Sequence, residues 1–153
     1  MLSTTQQRTG RRTFAWGRWL AFYSAFSFGV LGVDAAMNHH VIITRNPWAY
    51  TPLLFAPLAA LSSLVCVFSA HWRRQAWILG GLAILVGLAG TLFHNVPTIL
   101  ERGDLSLWQA LLNADRPVFA PASFAATGVL LLLVPWGERW QRIHESDEKE
   151  LCP

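Results

Sequence analysis

Residues 76–96 read AWILGGLAILVGLAGTLFHNV, with no Asp, Glu, Lys or Arg and a single imidazole, His94. At 1.5 Å per residue a helix of this length spans about 31 Å, the thickness of a bilayer's hydrocarbon core. A bilayer core admits only helices or closed barrels, because every backbone polar group must be satisfied internally. Apolar residues run continuously here rather than alternating, so the stretch is no barrel strand. It is a transmembrane helix.

Three further windows have the same character on either side of it. They run from about Trp19 to Met37, from about Thr51 to Ala70 and from about Pro117 to Trp136. Inside the four windows stand only Asp34 and His94, with Cys66 as a weaker third ionisable group. Across all 153 residues 53% are hydrophobic and only 14% charged, against roughly 25% charged in an average soluble domain. The sequence predicts an all-α integral membrane protein with four transmembrane helices in an antiparallel bundle.

Basic residues set the orientation. Arg8, Arg11, Arg12 and Arg18 precede the first span, Arg73 and Arg74 separate the second from the third, and Arg139, Arg142 and Lys149 follow the fourth. The other two loops hold Arg45, Arg102 and Arg116. Nine against three places both termini in the cytoplasm by the positive-inside rule. Trp16, Trp19, Trp72, Trp77, Trp136 and Trp140 then mark the inner interface, and Trp48 and Trp108 the outer one. The net charge of +3 belongs to this retention signal and implies no nucleic acid. Gly10-Arg11-Arg12-Thr13-Phe14 loosely resembles a twin-arginine export signal. The apolar run behind it is too long for a cleaved signal and lacks a small-x-small site, so it reads as an uncleaved first helix in the inner (plasma) membrane.

The organisation is then a polar cytoplasmic segment over residues 1–15, a membrane domain over 16–137 and a charged cytoplasmic tail over 138–153. Asn46-Pro47-Trp48 forms a turn into the second helix. His71–Gln75 joins spans two and three as a tight hairpin. In the longest loop, Ile99–Arg116, Asp104 can cap a short helix with Leu105, Leu107, Trp108, Leu111 and Leu112 apolar and Arg102, Gln109 and Asn113 polar. That pattern fits a helix lying on the outer membrane surface. Cys66 in a span and Cys152 in the tail form no disulfide pair.

Ionisable residues in a span mark sites or packing seams. Tyr23, Ser27, Asp34 and Asn38 fall within about 60° of one another on a helical wheel, so one polar stripe is expected to face the bundle. On the third helix Ala83, Gly87, Gly90 and Thr91 share the side of His94 and form a groove of small residues, the usual mark of close helix contact. Asp34 and His94 share a depth near the outer edge, with His39 and His40 at or just above it. Glu101 follows two turns beyond His94, unless Pro97 ends the helix. Imidazoles and carboxylates so placed are ligands for zinc, iron or copper, and two imidazoles on separate helices can hold a haem. The spacing matches no specific metal motif. A hydrogen-bonded seam between helices explains the same residues.

There is no glycine-rich phosphate loop, no Cys-x-x-Cys pair and no serine set with a base. Repeated broken helices, which a transporter would need, are missing too. Two expectations remain. One is an accessory subunit that anchors or orders a larger membrane complex alongside other membrane-protein subunits. The other is a redox subunit in which Asp34, His39, His40, His94 and Glu101 bind a metal, or the histidines a haem, and pass electrons to a partner or quinone.

Overall fold

Continuous apolar runs become four helices, each long and apolar enough to cross a membrane. The structure is a computed structural model that describes residues 15–39, 46–101, 109 and 119–150. Helix α1 covers Trp16–His39, α2 Tyr50–Phe68, α3 Ala70–Glu101 and α4 Ala120–Glu150. A single 3-10 turn, Pro47–Ala49, leads into α2. Asn46 caps that turn by accepting the Trp48 N–H at 3.1 Å, and Pro47 occupies a first-turn position where no N–H is needed.

One boundary differs from expectation. His71–Gln75 is no loop but the first turns of α3, and Ser69 alone separates α2 from α3. Its extended backbone (φ −120°, ψ 116°) makes the reversal. Helix α3 also continues past Pro97 to Glu101, and α4 carries on into the charged tail as far as Glu150. The surface helix expected over 104–113 lies outside the described residues, Gln109 excepted.

Helix α1 packs on α2 and α4, and α3 packs on α4 and less extensively on α2. Small residues carry the α3–α4 contact. A Cβ on Gly80 would stand 2.7 Å from Gly128 O, and one on Gly128 would stand 2.6 Å from Gly80 O. Further along, a Cβ on Gly87 would meet Ala125 N at 2.5 Å, and one on Gly90 would meet Pro121 Cβ at 2.9 Å. Rising numbers on α3 meet falling numbers on α4, so this pair is antiparallel. Lipid tails are as apolar as leucine, so close backbone approach of this kind holds membrane helices together. Gly80 belongs to this seam although the sequence pattern pointed only to Ala83, Gly87, Gly90 and Thr91.

At the centre Phe28, Phe55 and Phe124 bring α1, α2 and α4 together. Their ring centroids lie 6.1 Å, 6.1 Å and 6.2 Å apart in tilted and edge-on pairs, the arrangements that aromatic quadrupoles favour.

Candidate functional site

His39 closes α1 and His94 lies two turns before the end of α3. Their rings meet edge to face, with centroids 6.0 Å apart and planes at 83°. Elsewhere α1 and α3 scarcely touch, so the two imidazoles bridge the bundle diagonally at this end. Both are half-buried. His39 Nδ1 stands 2.9 Å from Ala35 O. A carbonyl only accepts, so Nδ1 is the donor, and Nε2 is the nitrogen left to act as a ligand. A backbone-held Nδ1–H is the usual second-shell arrangement of a metal-ligating histidine. Beside them Trp48 stacks on Phe93 at 6.0 Å, tying the turn before α2 to α3. Asn95 Oδ1, one residue beyond His94, is shielded from solvent and accepts no hydrogen bond among the described residues.

Asp34 does not join the histidines. Its side chain is exposed on the outer flank of α1, where Asn38 Nδ2 donates to its Oδ1 and to its backbone oxygen, each at 2.9 Å. The expected inward stripe is therefore corrected: Tyr23, Asp34 and Asn38 are exposed and only Ser27 is partly buried. The buried arc of α1 is set instead by Gly17, Ala21, Ser24, Phe28 and Ala35, and Asp34 lies roughly 100° from Ala35 and 120° from Phe28 on the wheel. Polar residues shared one face, as expected. It was the other face.

Among the described residues no three His, Cys, Asp or Glu side chains converge on a point where they could hold a metal ion. His40 lies outside the described residues, and Glu101 is described only as the last residue of α3, without its side chain. Of the expected ligand set, the structure thus brings together His39 and His94, and separates Asp34 from them.

Asp34 instead lines a shallow open groove of about 520 Å³ with Phe26, Gly29, Val30, Val33 and Met37, all on α1. The carboxylate lies five residues before the helix end, about 7 Å along the axis. It sits within a segment long and apolar enough to span a membrane.

At the opposite end a buried ion pair was not anticipated. Arg73 Nε donates to Glu138 Oε1 at 2.6 Å, with the two side chains only 5% and 15% exposed. Arg73 Nη1 also donates to the carbonyls of Cys66 and Val67 at 2.9 Å and 3.1 Å. These belong to the last turn of α2, whose carbonyls have no partner within the helix. Glu138 is backed by α1, since a Cβ on Gly17 would approach its Oε1 to 2.8 Å. Arg73 of α3 thus joins the end of α2 to α4, and Glu138 rests in turn against Gly17 of α1. In the sequence Arg73 read only as a retention charge and Glu138 only as the start of a solvated tail.

Comparison with protein-family models, curated proteins and solved structures finds no match.

Proposed function

We propose that this chain is a small accessory subunit of a larger complex in the inner (plasma) membrane, with both termini in the cytoplasm. The observation that carries the reading is Asp34, an exposed carboxyl on the outer flank of a membrane helix. A charged side chain costs about 2.5–3.5 kcal/mol at the bilayer centre on insertion scales and less toward the edge where Asp34 lies, and ionisable groups within spans face a bundle interior, a watery cavity or a partner. Here the interior is occupied by the phenylalanine triad and the glycine seams, and Asp34 is turned from it. Another subunit supplies its surroundings. The test is the native mass of the chain in membranes opened with a mild detergent. Migration in an assembly well above 17.1 kDa plus detergent supports the reading, and migration as a lone chain under every mild condition refutes it.

A second reading is favoured by the approach of His39 and His94. With metal–nitrogen bonds of about 2.0–2.1 Å, two imidazoles on one ion place their ring centres roughly 5–6.5 Å apart, and 6.0 Å falls within that interval. In this reading the pair holds haem or an ion of zinc, iron or copper, and His40 and Glu101 are the residues positioned in sequence to complete an ion's ligand set. Haem, iron or copper would supply electron transfer to a partner or quinone, whereas zinc, which has no redox chemistry, would serve only to tie the two helices. The chain would fix the imidazole tautomer through Ala35 O.

A further inference from the structure

We infer that the α1 groove docks one transmembrane helix of another subunit, and that this helix carries a lysine or arginine at the level of Asp34. The inference rests on the accessory-subunit reading and names the partner's chemistry. Three observations lead to it.

The groove is a continuous helical face. Phe26, Gly29, Val30, Val33, Asp34 and Met37 follow one another at spacings of three, one, three, one and three. Such a stripe matches a second helix lying alongside. One turn in from Phe26 is Gly29, where a Cβ would meet nothing within 4 Å. Gly80, Gly87 and Gly128 owe their small size to a neighbouring helix inside this chain. Gly29 has no such neighbour. It leaves a dent between Phe26, Val30 and Val33 into which an external backbone or side chain can settle.

The charge points to the occupant. Ionised, Asp34 offers about four acceptor positions, and Asn38 fills one of them on Oδ1. A carboxylate removed from water is stabilised by an opposite charge beside it. Between Arg18 and His39 this helix has no basic residue, and among the described residues only Asn38 pairs with Asp34, so the described helices of this chain bring it no counter-charge. A second copy of this chain fits poorly. Symmetric pairing through the same face would set Asp34 against its own twin and bring no base to either.

A photo-activatable phenylalanine in place of Val33, in the native complex, tests the inference. Irradiation should yield a cross-link to one transmembrane helix whose sequence has Lys or Arg in its outer third. Asp34→Lys should reduce retention in the complex about tenfold or more, as loss of a desolvated charge pair does. Gly29→Leu should do the same by filling the dent. Exchanging the partner's base for Asp should restore the Asp34→Lys chain. Melting of each variant in detergent, free of partner, should match the parent, because both positions are outside the core. Cross-links only to lipid, to a second copy, or to a helix without a base would overturn the proposal. So would full retention of Asp34→Lys. In each of these cases the assembly's mass still reports on the accessory role, and a chain that is solitary from the start counts against that role itself.

Discussion

Arg73 and Glu138 stand 65 residues apart in sequence and form a buried ion pair, Nε to Oε1 at 2.6 Å. A pair of this kind is costly to assemble, because two charges leave water. It is costlier to break on one side only, which leaves an uncompensated charge. The pair also serves as a joint, since the same guanidinium holds Cys66 and Val67 carbonyls at the end of α2.

Glu138→Ala should therefore lower stability by about 3 kcal/mol, within the usual cost of stripping one partner from a buried pair. Arg73→Ala should cost more, because two helix-end carbonyls lose their donor as well. Unfolding in detergent with increasing denaturant gives both values. The double variant should be more stable than the sum of the single losses predicts. Simple additivity would show that the two residues do not act together.

Gly87→Leu should destabilise α3 against α4, by about 1–3 kcal/mol or more for an overpacked contact. Leu85→Ala, on the exposed side of α3, should change little. Thermal melts of the purified chain compare them directly. Leu132 is a poor control despite its partial exposure, because its Cδ2 would lie 3.1 Å from a Cβ on Gly80.

If the redox reading holds, freshly isolated native complex contains haem or metal in fixed ratio to this chain. His94→Ala should remove it, and so should His39→Ala. His71→Ala, at the far end of α3, should leave it in place. Metal analysis and the Soret region of the absorption spectrum decide the matter, and blanks in both would end that reading.

Reporter fusions after Gln75 and Pro153 should register in the cytoplasm, and those after Asn46 and Asp104 outside it. Reversal at any of these positions contradicts the orientation drawn from the basic residues.

Much of the fold was legible because hydropathy and length constrain a membrane helix so tightly. Residues 76–96 needed no tertiary information to be read as a span. The approach of His39 to His94 was also within reach, through equal depth and the small-residue face beside His94. The face of Asp34 was not. Wheel geometry shows which residues share a side, but not which side the neighbours choose, and on α1 that choice falls to Gly17, Ala21 and Phe28. The link from Arg73 to Glu138 was hidden for a different reason. Charges just beyond a span serve equally as topology signals and as ion-pair partners, and only α4 packed against α1 and α3 separates these roles.

The single-residue break at Ser69 bears on how the chain is made. The last carbonyls of α2 are answered by a side chain from the second turn of the next helix. During synthesis α2 therefore stays incompletely satisfied until Arg73 has left the ribosome, and the two helices are best delivered to the bilayer as a pair. Arg73 then waits for its counter-charge until Glu138 emerges. The fourth helix is thus the one that completes the first three, and a chain stopped before it would leave Arg73 without its counter-charge.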